Sequence, residues 1–469
     1  MLDSPTLDEP GSARRTAPRG PTLDRLSCID ARGARVKIQP ADVRGRFQVR
    51  KRLLWIALIA IYVSLPWIEV AGRPAVLIDI VHRRFYLFGQ TFNAQDFWLA
   101  FFLLTGIGFA LIVVSALWGR VWCGYACPQT VFLEGVFRRV ERLFEGTPAQ
   151  RKRRAAAGWT TARVLRAVGK YATFGVIAAA LAHTLLGYFM PVRDVLRAMT
   201  SPPTEHPTAF LFVVLTTGLV YANFAWFREQ LCIVVCPYGR LQSVLYDRDT
   251  INVGYDRTRG EPRGALGTAG AGDCIDCRRC VAVCPVGIDI RNGTQLECVG
   301  CANCIDACDE VMDRIGRPRG LVRYDSQRGF DEGRRQFWRP RVALYAVLLV
   351  VGAGVFAFAA TRRAPFEADL LRARGPAFTL ESDVVTNAFV LHVINKTPDE
   401  ATFTLRPEPD ARLQWTLPIT EVRLASLADQ HLPVLVRFRA ADLPGGGSAR
   451  LHVASPIGTR TVEVRLVGP

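Results

Sequence analysis

Histidine and methionine are scarce, six and four among 469 residues. His82, His183, Met190, Met199 and His206, which fall on or near one side of the expected spans, form no cluster of the kind a His/Met metal relay uses. His183, alone within a span, is expected to be a packed, hydrogen-bonded residue. There is no CxxCH pentad, which excludes c-type haem attachment. The Gly267–Gly272 stretch lacks the Lys and Ser/Thr of a phosphate loop and reads as a linker. The Arg- and Pro-rich segment up to Lys51 has no apolar run, so no cleavable signal peptide is expected. Cysteine is absent beyond Cys308. A secreted disulfide scaffold is short and spreads its cysteines through the fold. The 13 cysteines here are bunched at metal-ligand spacings instead, which points to reduced thiols and metal sites. Cys28, alone in the basic tail, reads as incidental.

What the chain has in quantity is apolar length. Five stretches approach the roughly 20 residues a bilayer crossing needs: Leu53–Ala71, Phe97–Trp118, Tyr171–Met190, Phe210–Phe227 and Val342–Thr361. The net charge of +17 is distributed unevenly around them. Lys and Arg number 12 before the first span, 10 in Gly119–Ala167 and 17 in Arg228–Pro340, against 3 and 2 in the loops Gly72–Asp96 and Pro191–Ala209. Positive loops stay cytoplasmic. This predicts a multi-pass protein of a bacterial inner membrane, with the N-terminus and the segment after the fourth span cytoplasmic and the C-terminal domain periplasmic. The charge is thus a topology signal, and no nucleic-acid partner is expected.

The third cytoplasmic segment carries Cys274-x2-Cys277-x2-Cys280-x3-Cys284-Pro285 and then Cys298-x2-Cys301-x2-Cys304-x3-Cys308. In this bacterial two-cluster spacing the fourth cysteine of each run ligates the other cluster. Two [4Fe–4S] clusters are therefore expected, one on Cys274, Cys277, Cys280 and Cys308, the other on Cys298, Cys301, Cys304 and Cys284. Four thiolates also suit zinc, but zinc modules pair CxxC knuckles across a longer loop. Asp309 stands where the first run has Pro285, so the spacing does not fix the exit geometry of the second run.

A second pattern repeats. Cys123-Gly-Tyr-Ala-Cys127-Pro128 follows the second span and Cys232-Ile-Val-Val-Cys236-Pro237 follows the fourth, each after an aromatic residue and an arginine (Trp118 with Arg120, Phe227 with Arg228) and before an amphipathic stretch. Four apart on a helix, two Cβ atoms lie about 5–6 Å from each other, long for a disulfide but suited to two ligands of one soft metal. Proline favours the first position of a new helix, so Cys127 and Cys236 are expected as helix caps with thiol pKa values lowered by the dipole. Thiolate pairs select Cu(I), zinc or iron–sulfur centres. The four thiols make one site if the two spans are neighbours; packed, inert thiols are the alternative. Beyond Ala377, short alternating strands such as Phe389-Leu391-Val393 and Val434-Val436-Phe438 predict an immunoglobulin-like β-sandwich.

The segments GRVWCGYACPQT (Gly119–Thr130), REQLCIVVCPYGRLQS (Arg228–Ser243), RGEPRG (Arg259–Gly264), GDCIDCRRCVAVCPVGIDIR (Gly272–Arg291), ECVGCANCIDACDEVMDR (Glu297–Arg314), FYLFGQTFNAQDF (Phe85–Phe97) and VINKT (Val393–Thr397) resemble the CcoG family, cytochrome c oxidase accessory proteins of the FixG/RdxA type. The resemblance runs from about Ile38 to the end. It implies a cupric reductase that supplies Cu(I) during assembly of cbb3-type cytochrome c oxidase. On that reading Cys123, Cys127, Cys232 and Cys236 handle copper, the eight ferredoxin cysteines hold the clusters, and an unidentified cytoplasmic donor provides electrons. The alternatives are an electron conduit to a quinone or periplasmic reductase, and a non-enzymatic oxidase assembly factor.

The expected architecture is an α-helical membrane protein of about five transmembrane helices with an inserted bacterial 2[4Fe–4S] ferredoxin-like domain and a C-terminal all-β immunoglobulin-like sandwich. Its segments are a basic stretch (1–52), a four-helix region with both CxxxCP repeats (53–250), the ferredoxin-like domain (251–340), a fifth span (341–362) and the sandwich (363–469).

Overall fold

The computed structural model describes residues 38–469 apart from positions 71, 82, 93–95, 157–159, 363 and 398. Cys28 and His82 lie outside the described residues. Helices in chain order are α1 (Arg46–Ser64), α2 (Phe97–Trp118), α3 (Val121–Tyr125), α4 (Pro128–Phe132), α5 (Arg138–Glu145), α6 (Pro148–Ala156), α7 (Thr161–Leu186), α8 (Val192–Thr200), α9 (Pro207–Ala222), α10 (Pro237–Leu245), α11 (Arg257–Gly260), α12 (Arg279–Ala282), α13 (Asn303–Arg314), α14 (Gln327–Glu332) and α15 (Pro340–Thr361). Packing groups the chain into two units, one holding the described residues through Asp79 with Leu104–Gly352, the other Ile80–Leu103 with Ala353–Pro469.

Among the described residues four helices are long and apolar enough to cross a membrane: Trp98–Trp118, Thr161–Leu186, Pro207–Phe227 and Pro340–Thr361. They match the second to fifth expected spans. The first behaves differently. Its helix, α1, starts earlier than the apolar run and spends its first two turns on Arg46, Arg50, Lys51 and Arg52. It then ends at a 3₁₀ turn, Leu65–Trp67, that contains Pro66, so by length and composition it is not among the four. His183, within α7, has Nδ1 2.8 Å from the Ala179 carbonyl one turn back.

In the first unit, α4 runs through a π turn (Leu133–Phe137) into α5. The buried Phe137 stacks on Phe224 at 4.4 Å between ring centroids and meets Phe174 edge-on at 4.8 Å. Burying a side chain of this size contributes about 1.5–3 kcal/mol and ties the helix after the first thiol pair to α7 and to the end of the fourth span.

The ferredoxin-like segment is framed by two antiparallel strands, Asn252–Tyr255 and Val322–Asp325, with the two cysteine runs between them. Each triplet of cysteines leads into a helix. Pro285 follows α12, which is four residues long, whereas α13 has no proline at the equivalent place and continues for 12 residues to Arg314. The Asp309 carboxylate at that place accepts the Gly320 amide at 3.0 Å. Helix α1 docks onto α13, the Asp306 carboxylate accepting the backbone N–H groups of Phe47 and Gln48 at 3.2 and 2.8 Å.

The second unit is a β-sandwich of two antiparallel sheets. One has the order 414–416, 429–439, 384–395, 366–372, and the other 421–424, 401–407, 447–455, 458–466. Alternate residues such as Val385, Phe389, Leu391, Phe403, Val436 and Leu451 fill the core between them. The first strand, Phe366–Arg372, starts ahead of the expected onset at Ala377; its alternation of Phe366, Ala368 and Leu370 is weakened by the small alanine. Lys396, in the VINKT motif, is buried and paired with Asp96 at 2.8 Å and Glu367 at 2.5 Å.

Candidate metal centre

All twelve described cysteines are free. A cavity of about 370 Å³ is lined by Cys274, Cys277, Cys280 and Cys308 together with Tyr255, Val311, Met312 and Leu321. A second, of about 340 Å³, is lined by Cys284, Cys298, Cys301 and Cys304, with Cys280 on the shared wall and Val253, Val286, Ile288 and Val299 around it. The fourth cysteine of each run thus lines the cavity of the other run. The loops that present them are matched residue for residue at an offset of 24. Asp276 and Arg278 in the first take positive φ (50° and 53°), as do Gly300 and Ala302 in the second (64° and 59°). Left-handed residues alternating with ordinary ones point successive N–H groups into a concavity that favours anionic sulfur.

The donor set and the space fit an iron–sulfur cluster better than one ion. Four thiolates on zinc at about 2.3 Å would bring the sulfurs to about 3.8 Å from each other. Among the described residues no three cysteines, in these runs or in the CxxxCP pairs, have all their sulfurs within 4.8 Å of one another. Burial pushes the Cys280 and Cys308 thiols up to about 12 and Cys298 up to about 11, so these cavities favour thiolates only when a cation is present.

The two CxxxCP pairs converge. Cys123 lies in α3 and Cys232 in a π turn, Leu231–Val235. Cys127 and Cys236 occupy the N-cap positions of α4 and α10, as the prolines after them predict. Every pairing among the four thiols is close enough for each charge to act on the other. The expectation of a lowered thiol pKa is corrected at Cys127. Burial pushes Cys123 and Cys232 up to about 12, and it outweighs the Gln129 and Thr130 amides that favour a thiolate at Cys127. The cap geometry is there, but desolvation wins over it.

The repeats hold each other through the arginines that mark them in the sequence. Arg120, buried at the end of the second span, donates to the Gly239 carbonyl in α10. Arg228, at the end of the fourth, forks onto Glu141 in α5 at 2.7 and 3.1 Å, both side chains 3% exposed. Gln129 donates to the Arg228 carbonyl at 2.8 Å. The Cys123 thiol faces Gln242 Oε1 at 3.7 Å, and Gln242 Nε2 donates to Ser115 at 3.3 Å. Three π turns, a feature frequent at functional sites, surround the pairs: Leu133–Phe137, Asn223–Phe227 and Leu231–Val235.

The thiol site abuts the second-run cysteine loop. Cys123 packs in one apolar cluster with Val286, Ile288, Val299, Cys284, Cys298 and Cys301. Gly124 lies so near the loop that a Cβ there would meet the Gly300 and Val299 carbonyl oxygens at 2.7 and 2.8 Å. The Arg120 charge acts on Cys123, Cys232 and Cys298 alike. A cavity of about 480 Å³ touches Cys232 on one side and Cys301 on the other, with Glu134, Arg138, Glu229 and Lys51 on its wall. Lys51, almost fully buried, donates to the Cys301 carbonyl at 2.7 Å. Lys51, Gln242 and the acidic wall carry no pattern in the sequence that singles them out; Arg120 and Arg228 are marked by the repeat.

Comparison with known proteins places these features. A family model described as a 4Fe-4S dicluster domain matches residues 227–327, one described as a 4Fe-4S binding domain matches 99–147, and one described as an IG-like fold at the C-terminal of FixG matches 356–469. Protein RdxA of Cereibacter sphaeroides is 39% identical over 398 residues, covering 81% of this chain and 84% of its own. Nitrogen fixation protein FixG of Rhizobium meliloti is 35% identical over 441 residues, covering 82% and 84%. A solved FixG-related protein from Vibrio parahaemolyticus aligns with 22% of this chain and 95% of its own, at 20% identity and a TM-score of 0.20.

Proposed function

The chain belongs to the FixG/RdxA family as a membrane-associated iron–sulfur electron-transfer protein, and from that premise we propose that it reduces Cu(II) to Cu(I) during assembly of a cbb3-type cytochrome c oxidase. One observation carries the reading. The first thiol pair is packed backbone to backbone on the second-run cysteine loop through Gly124, so an ion held by the thiols lies one loop away from a source of single electrons.

When bound, the clusters supply one electron at a time, on Cys274, Cys277, Cys280 and Cys308 and on Cys298, Cys301, Cys304 and Cys284. Cys123, Cys127, Cys232 and Cys236 receive copper, the substrate, and favour its soft monovalent state because thiolates select Cu(I). Each Cu(II) takes one electron and leaves as Cu(I). Arg120 offsets the thiolate charge, while the Arg228–Glu141 fork holds the second pair against the first. On this reading the cysteine-bearing side faces the cytoplasm and the sandwich the periplasm, which the excess of Lys and Arg in the cysteine-bearing segments supports.

The test uses purified, cluster-loaded protein, reduced and mixed with Cu(II) and a Cu(I)-specific chelator. Wild type is expected to yield Cu(I) in proportion to reduced clusters, and the variant with Cys123, Cys127, Cys232 and Cys236 all changed to Ser to lose that yield. Equal yields from both would remove the thiols from the reaction. Rapid oxidation of the clusters by a quinone analogue, with none by Cu(II), would replace copper by a quinone as acceptor.

A further inference from the structure

His392, Asp429 and His431 lie on the outward face of the sandwich sheet that contains strands 384–395 and 429–439. The two histidines are directly paired across these antiparallel strands. Their rings are stacked, with centroids 4.0 Å apart and planes within 13°. Both direct Nε2 at one carboxylate oxygen, Asp429 Oδ2, at 2.9 Å for His392 and 3.9 Å for His431. One ligand atom from each of the three residues lies within 4.8 Å of the other two, the one such compact group among the described residues. A further carboxylate, Asp369, stands opposite His392 on the neighbouring strand 366–372, where facing Cβ atoms lie about 4.5–5.5 Å apart.

We propose that this cluster is a binding site for a first-row divalent cation, Cu(II) or Zn(II). Two imidazoles and a carboxylate are a borderline nitrogen–oxygen donor set, suited to these ions rather than to calcium or magnesium. Metal bonds of about 2.0–2.2 Å to one shared ion require ligand atoms within a few ångströms of each other, as these three are. The strands that carry the histidines are the two inner strands of their sheet, so the backbone of the site is fixed before metal arrives. Partial exposure of all three side chains leaves coordination positions open to water or to a ligand of a partner, as in a site that exchanges its ion. The site shares no residue with the CxxxCP thiols, so it stands or falls independently of copper reduction there.

The experiment takes the full-length protein with the four CxxxCP cysteines changed to Ser, which removes the competing thiols, and its clusters in the oxidised, diamagnetic state, so that an added equivalent of Cu(II) is the sole paramagnet. Electron paramagnetic resonance is expected to show coupling to two imidazole nitrogens, and calorimetry to find one Zn(II) competing for the same site. His431→Ala, at an exposed position, should remove one nitrogen coupling and weaken both metals about tenfold or more. Asp429→Asn should weaken them while keeping both nitrogens. Affinity and spectra unchanged when His431→Ala or His392→Ala is added to the four-serine protein, or no two-nitrogen signal from the four-serine protein itself, would overturn the proposal. Circular dichroism of each variant separates loss of ligand from loss of fold.

Discussion

Replacing Gly124 by alanine probes the contact on which the electron path rests. The added Cβ would stand 2.7 Å from the Gly300 oxygen, 2.8 Å from the Val299 oxygen and 2.9 Å from the Cys301 Cα. All three are backbone atoms, so no side chain can swing aside. Gly300 cannot retreat freely either, because it sits at φ +64° with its own Cβ position 3.0 Å from the Arg120 oxygen. Ordinary contact begins near 3.4 Å, so α3 and the cysteine loop must part by about 0.7 Å. Overpacking of this kind costs about 1–3 kcal/mol, roughly five- to 150-fold in the balance between docked and undocked arrangements. Gly108→Ala in α2 is the control. Nothing lies within 4 Å of its added Cβ, and alanine is the better helix former by up to about 1 kcal/mol. The assay follows the visible absorbance of the clusters on heating and the rate of Cu(I) formation at fixed temperature. Gly124→Ala should lose absorbance at a lower temperature and form Cu(I) more slowly, with Gly108→Ala unchanged or slightly more stable. A Gly124→Ala protein that matches wild type in both would refute the backbone-to-backbone contact.

Cys308→Ser should abolish the cluster of the first-run cavity and spare the other, seen as loss of one set of reduced-cluster signals and its iron; loss of the second-run cluster instead would contradict the crossed ligand sets. Arg228→Met removes the fork and leaves buried Glu141 with Arg151, at 3.2 Å, as its remaining charged partner, so it should cost about 1–3 kcal/mol, read as lowered thermal stability with separated thiol pairs; wild-type stability would show that the fork is dispensable. Burial alone would raise Asp256, Asp289 and Asp325, but hydrogen bonds from Thr258 and Arg323, from Arg291, and from Arg335 and Arg323 respectively hold all three below the ordinary carboxylate range. With folded values below the unfolded value of about 3.9, their stabilisation is present above that pH and lost as pH falls through the folded values. Amide hydrogen exchange in the ferredoxin-like segment should accelerate relative to the sandwich below about pH 4, and equal behaviour of the two would speak against it.

Much of this was legible in the sequence because it is written locally. Two CxxCxxCxxxC runs, a proline after each second thiol and four long apolar runs each act within a few residues, and the structure places them accordingly. The differences have long-range causes. Helix α1 opens on charged turns that bind Asp306 and Cys301, partners some 250 residues away in sequence, and this start sets it apart in composition from the four long apolar helices. The cap positions of Cys127 and Cys236 were readable, yet the raised thiol of Cys127 follows from burial, which only packing of the repeats creates. That α3 rests on the second-run loop follows from a glycine at position 124 that has no meaning until its neighbour is known.

The most direct measurement of the central claim is the rate at which pre-reduced clusters are oxidised on mixing with one equivalent of Cu(II), followed by stopped flow in wild type and in the four-serine variant. Fast oxidation matched one to one by Cu(I) in wild type, and its loss in the variant with both clusters intact, is the predicted result. Oxidation at the same rate without the four thiols would contradict the account.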